Sequence, residues 1–119
     1  MTDHFRLTIA QLNPVLGDLA GNAAKAHAAW EHGKAADADM VALTEMFITG
    51  YQTQDLILKR AFVADAIRTI EALATDCADG PALGIGGPAW VSGRLHNAYY
   101  VLQGGRVTAT VLKHHLPND

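Results

Sequence analysis

The chain has 119 residues, 50% of them hydrophobic and 18% charged, so it makes one globular domain at most and is not a disordered segment. A net charge of -3 offers no basic field for nucleic acid or an acidic membrane surface, and a single cysteine excludes an internal disulfide. No apolar run reaches membrane-spanning length, and the first residues lack the basic cluster and long apolar core of a signal peptide, so a cytoplasmic location is expected.

In chain order, Phe5 to Leu12 alternates Phe5, Leu7 and Ile9 against Arg6 and Thr8, which predicts a first strand. Asn13-Pro14 breaks it and Gly17-Asp18 turns the chain. From Asn22 to about Ala36 alanine dominates; this predicts a helix packed closely on a sheet, with Trp30 as its anchor. Met40 to Leu43 is a short apolar run without helical spacing, the pattern of a parallel strand covered on both faces. After the Gly50-Tyr51 turn, Leu56, Ile57, Phe62, Val63, Ile67, Ile70, Leu73 and Ala74 recur at three- and four-residue spacing. They predict a long amphipathic helix from near Asp55, with a possible break near Arg60, stopped by Asp79-Gly80-Pro81.

Ala82 to Ile85 begins a third strand, expected to be interrupted at Gly86-Gly87-Pro88 and resumed at Ala89-Trp90-Val91 before a turn at Ser92-Gly93. His96 to Leu102 and Arg106 to Leu112, joined through Gln103-Gly104-Gly105, form a hairpin. Simple alternation puts Val107, Ala109, Val111 and the stem of Lys113 on one buried side. Strand, helix, strand, helix, strand and hairpin together give an α/β layered domain with no internal boundary. Five strands under two helices on one face leave the other face bare, so further chain or another subunit is expected to cover it.

Glu45 directly follows the second strand, and the carboxyl ends of strands are where open α/β sheets gather ligands. Lys113 leaves the last strand. A lysine and a glutamate at one rim of a sheet favour each other's charged form. Taken alone, each has a bland reading: a strand-end carboxylate in water or capping a helix, and a surface lysine whose stem lies along apolar surface.

The residues around the two narrow this choice. Thr44-Glu45-Met46-Phe47-Ile48-Thr49-Gly50-Tyr51 resembles the glutamate motif of the nitrilase (carbon-nitrogen hydrolase) superfamily, and Lys113-His114-His115-Leu116-Pro117-Asn118 resembles its lysine motif. Asn97 to Leu102 with Gly104-Gly105-Arg106-Val107 resembles the hairpin that precedes that lysine. Gln54-Asp55-Leu56-Ile57-Leu58 most resembles the glutaminase domain of the glutamine-dependent NAD synthetases. The resemblance spans essentially the whole chain and implies part of an αββα sandwich, the amino-terminal portion of such a domain.

It also implies roles. Glu45 would be the general base, Lys113 the stabiliser of the oxyanion, and Tyr51 an aromatic residue beside the substrate pocket. The family's nucleophilic cysteine lies beyond the lysine motif and so beyond Asp119, so this chain by itself is expected to be inactive. The substrate would be glutamine, with ammonia passed on for ATP- and magnesium-dependent amidation of deamido-NAD in a separate domain; no cofactor is implied for this segment. Homo-oligomers through the sandwich helices are implied as well. Two other readings stay open: an amidase or nitrilase of the same superfamily acting on a different small amide, nitrile or carbamoyl compound, and a non-catalytic α/β binding or assembly module.

Two positions depart from the family pattern. Thr44 stands where a proline is usual, and Asp119 where a tyrosine of the glutamine pocket follows the Leu-Pro-Asn triplet. Cys77 is no substitute nucleophile, because Asp76, Asp79 and the negative end of its helix disfavour a thiolate. His114-His115 has no third ligand to complete a metal site. Gly84-Ile85-Gly86-Gly87 precedes a proline and a strand where a dinucleotide loop requires a helix. Arg94 and Arg106, close to turns, are read as solvated charges.

Overall fold

The computed structural model describes residues 4–50 and 60–115, the last two by their backbone only. Its elements are β1 (Leu7–Ile9), α1 (Leu19–Ala35), β2 (Met40–Ala42), a 3-10 turn (Phe47–Thr49), α2 (Arg60–Asp76), β3 (Ala82–Val91), β4 (Arg94–Gln103) and β5 (Arg106–His115). The strands form one sheet in the order β1-β2-β3-β4-β5. β1, β2 and β3 run parallel, and β4 and β5 continue antiparallel through the two-residue turns Ser92-Gly93 and Gly104-Gly105.

Both helices lie on one face. α1 begins earlier than its alanines suggest, because the Asp18 carboxylate accepts the Gly21 N–H at 2.9 Å and caps it. Trp30 is buried, and its indole N–H donates to the Pro81 carbonyl at 2.7 Å, pinning α1 to the entry of β3. From α2, Ala66, Ile70, Leu73 and Ala74 join Ala26 and Trp30 of α1 over Val41, Leu83, Ile85 and Leu102 of the sheet. The expected start of this second helix near Asp55 lies outside the described residues.

Among the described residues, no element covers the opposite face. The register aligns Thr8, Val41, Leu83, Leu102 and Val107 in one row, the row toward the helices. Leu7 and Ile9 therefore point the other way, 49% and 68% exposed, and so does Val111 at 54%. Accordingly Val41 is buried while Met40 and Ala42 are only half-buried, so the cover expected on both faces of β2 is present on one.

Two expectations fail here for identifiable reasons. β3 is continuous through Gly86-Gly87-Pro88. The N–H groups of Ala82 and Gly86 point toward the β2 side, to Asp39 and Thr44. Pro88 shares that parity but falls past the end of β2, where no ladder bond needs its missing N–H. In β5 the register shifts twice, skipping Thr108 and Lys113: Val107 faces Leu102, but Ala109 faces Val101 and Val111 faces Tyr99. The bulge at Thr108 thus sends Val107 to one face and Ala109 and Val111 to the other, and the second leaves Lys113 between the paired residues Leu112 and His114.

Candidate active site

β2, β3 and β5 all run in one direction, so Glu45 and Lys113 leave the sheet at the same rim. They are nonetheless three strand spacings apart, about 14 Å at about 4.8 Å per spacing. Two features close that gap.

The first is a sideways step after β2. A regular parallel ladder would send the Gly86 N–H to the Leu43 carbonyl; it goes to Thr44 at 3.2 Å, while Leu43 N–H still reaches Gly84 at 2.8 Å. The Leu43 carbonyl accepts the Tyr99 hydroxyl at 2.8 Å instead. The chain then crosses over β3, where a Cβ on Gly86 would stand only 2.5 Å from the Glu45 Cα. Only a glycine leaves room for this approach. Met46 takes a left-handed conformation, φ 55°, and the 3-10 turn carries Phe47 and Ile48 down into the core.

The turn is held from beneath. Asn22 of α1 is wholly buried; its side chain accepts the Val15 N–H at 2.7 Å and donates to the carbonyls of Val15 at 2.8 Å and Ile48 at 3.1 Å. Gly17 N–H bonds the Thr49 carbonyl at 2.9 Å. Gly50 follows at φ 76°, where a Cβ would lie 2.5 Å from the Val15 carbonyl carbon. Asn22 is not among the residues singled out from sequence; a lone amide on an otherwise apolar helix stripe is the signal that points to it.

The second feature is the bulge at Lys113, which aims its side chain back across β4. Its ammonium donates to Glu45 Oε2 at 2.6 Å. The side chains are 40% exposed for Lys113 and 54% for Glu45, so the pair sits in a shallow, open position and not a sealed one. Between them on β4, the Asn97 amide nitrogen lies 3.3 Å from Glu45 Oε1. Glu45, Asn97 and Lys113 therefore meet at one rim, although 52 and 68 residues separate Glu45 from the other two.

Tyr51 and Leu116 to Asp119 lie outside the described residues. Cys77 is on the helix side of the sheet, 1% exposed, and burial backed by Asp76 and Glu31 pushes its thiol up to about 12. A thiol so placed stays protonated and unreactive at neutral pH. Among the described residues no three His, Cys, Asp or Glu side chains form a metal-binding group, and no helix is long and apolar enough to cross a membrane.

Residues 6–119 match the family described as carbon-nitrogen hydrolase. Over all 119 residues the chain is 62% identical to a glutamine-dependent NAD(+) synthetase of Rhodobacter capsulatus and covers 22% of that protein. Its structure superimposes on a glutamine-dependent NAD(+) synthetase from Cytophaga hutchinsonii with a TM-score of 0.87 and 28% identity, over 97% of this chain and 20% of that one. It also superimposes on an amidase from Nesterenkonia sp. with a TM-score of 0.79 over 98% of this chain and 45% of that one; at 19% identity this likeness is one of fold. The chain spans about a fifth of the length of the synthetases it resembles.

Proposed function

The chain belongs to the carbon-nitrogen hydrolase family, and we propose that it is the amino-terminal portion of a glutaminase domain supplying ammonia to an NAD synthetase. One observation carries the catalytic part of this reading: the Lys113 ammonium lies 2.6 Å from the Glu45 carboxylate at one rim of the sheet. The 62% identity to a glutamine-dependent NAD(+) synthetase over the whole chain supports the choice of glutamine and of the synthetase.

On this reading Glu45 is the general base. Its carboxylate takes the proton of a cysteine thiol supplied by a later part of the domain, and the thiolate attacks the side-chain amide carbon of glutamine. Charge grows on the former carbonyl oxygen, and the Lys113 ammonium balances it. When the tetrahedral intermediate collapses, the proton held by Glu45 passes to the departing nitrogen and ammonia leaves. Water then attacks the thioester carbon as Glu45 takes its proton; the C–S bond breaks, the thiolate leaves and recovers that proton, and glutamate is released.

ATP and magnesium serve a separate synthetase domain in this scheme, and no step here runs through them. The setting is cytoplasmic. Pairing with a second copy through the outer faces of α1 and α2 completes the proposal.

The test is ammonia release from glutamine by the full-length protein, compared with Glu45→Gln and Lys113→Met variants and with other small amides as substrates. Loss of turnover in both variants with glutamine preferred supports the reading. Wild-type rates in Glu45→Gln, or preference for another amide, overturn its catalytic or its substrate part respectively.

A further inference from the structure

The Glu45 carboxylate is held at both oxygens, by Lys113 on Oε2 and by the Asn97 amide on Oε1. Asn97 is fixed before it meets the acid. It lies inside β4, paired with Pro88 on one side and His114 on the other, and it is less exposed than Glu45. Two residues along the same face, Tyr99 ties β4 to the end of β2 through the Leu43 carbonyl. β4 therefore carries both the hydroxyl that anchors the sideways step and the amide that meets the acid it delivers.

The orientation of the amide is determined by charge. Asn97 Oδ1 is buried with no hydrogen bond among the described residues. Turning the amide over would bring this oxygen against the carboxylate, so the nitrogen faces Glu45 even though the oxygen is left without a described partner. At 3.3 Å the bond is longer and weaker than the Lys113 contact, but it reaches the other oxygen and so adds direction as well as attraction. A lysine on a flexible four-carbon stem lets the carboxylate plane swing, whereas a second anchor on the other oxygen, from a side chain embedded in a strand, does not.

We propose that Asn97 is a positioning residue for Glu45, setting the plane of its carboxylate and favouring the ionised form that can accept a proton. This rests on the assignment of Glu45 as the base. A donor to the ionised carboxylate lowers its pKa, so removing the donor raises it. The acid limb of the kcat/KM profile, which reports the base in the free enzyme, then moves to higher pH.

The experiment measures glutamine hydrolysis against pH in the full-length protein and in its Asn97→Ala, Asn97→Asp, Asn97→Ser and Glu45→Gln variants. In Asn97→Ala, kcat is expected to fall by about tenfold with KM within about twofold, and the acid limb to move up in pH. Asn97→Asp replaces the donor with a second carboxylate at unchanged shape and moves the limb further. Asn97→Ser keeps a donor of shorter reach and recovers part of the rate. Should Asn97→Ala lower the thermal midpoint so far that it does not fold, Asn97→Asp decides by the same shift. An unmoved acid limb and wild-type kcat in a folded Asn97 variant, with Glu45→Gln inactive, overturns this proposal alone; an active Glu45→Gln overturns the assignment beneath it.

Discussion

Gly86 lies directly beneath Glu45: a Cβ at that position would stand 2.5 Å from the Glu45 Cα and 2.7 Å from its carbonyl carbon. Both neighbours are backbone, so no side-chain rotation relieves the clash. In Gly86→Ala the segment crossing β3 must lift, and overpacking of this kind costs about 1–3 kcal/mol. Because the lifted segment carries the proposed base, glutamine turnover should fall by about 100-fold, the scale of a misplacement near 1 Å. Thermal midpoint and kcat/KM measured together check this; wild-type values of both would mean that Glu45 is not held by this approach.

Glu45 and Lys113 are expected to act as a unit. Each side chain is about half exposed, so the contact contributes little to stability, and single substitutions should leave the thermal midpoint close to wild type. Turnover should respond differently. Loss of a general base costs roughly 100- to 10,000-fold, and the double variant Glu45→Gln, Lys113→Met should be scarcely worse than the more severe single one. A double-variant loss equal to the product of the single losses would show two independent contributions.

Much of this site is legible in the amino-acid sequence because its signals are local. Met40 to Leu43 ends in a charge, the Gly104-Gly105 turn is flanked by strand-forming runs, and two short motifs stand in the expected order. What is not legible depends on partners distant in the chain. The alternation of β5 fails at Thr108 and Lys113 because a bulge is a property of the strand pair, and one extra residue reverses every face beyond it. Gly86-Gly87-Pro88 looks like an interruption until β2 is seen to stop before Pro88. Asn97 is read only as part of a hairpin, since nothing beside it indicates that a carboxylate 52 residues away will arrive at its amide. A polar amide at the head of the apolar run Ala98 to Leu102 is the available hint.

Asn22 joins three segments, and its loss should be felt in all of them. Asn22→Ala removes three hydrogen bonds to the backbone of Val15 and Ile48 and leaves the part-buried Val15 groups and the buried Ile48 carbonyl without this partner. At about 1 kcal/mol per bond, and more where a buried group stays unsatisfied, the expected destabilisation is about 3 kcal/mol or above. Asn22→Asp should rescue little, because a carboxylate keeps the bond from the Val15 N–H but meets two carbonyl oxygens that it cannot donate to. Thermal unfolding of the full-length protein checks both variants, and a loss below about 1 kcal/mol would show that the loop and the 3-10 turn are held otherwise.

Alkaline stability should carry the signature of two buried acids on the helix side of the sheet. Burial, backed by Asp76 and Glu31, pushes Cys77 from 9.0 to about 12. Burial, backed by Glu71, pushes Tyr100 from 10.0 to about 12. Each folded-state value is above the unfolded one, so between them the native state holds more protons than the unfolded chain, and stability falls as pH rises. The Cys77 contribution is complete below pH 9.0 and lost by about pH 12; that of Tyr100 goes between pH 10.0 and about 12. Cys77→Ala should flatten this decline from its start, and Tyr100→Phe from one pH unit later. The phenylalanine variant also loses the 2.6 Å bond from the Tyr100 hydroxyl to the Pro88 carbonyl, a cost that does not vary with pH until the hydroxyl titrates, so the slope and not the offset is the readout. In the folded protein near neutral pH, Cys77 should resist alkylating reagents until the domain unfolds. Rapid labelling without unfolding, or equal slopes in wild type and both variants, would show that these groups titrate as freely in the folded state as in the unfolded one.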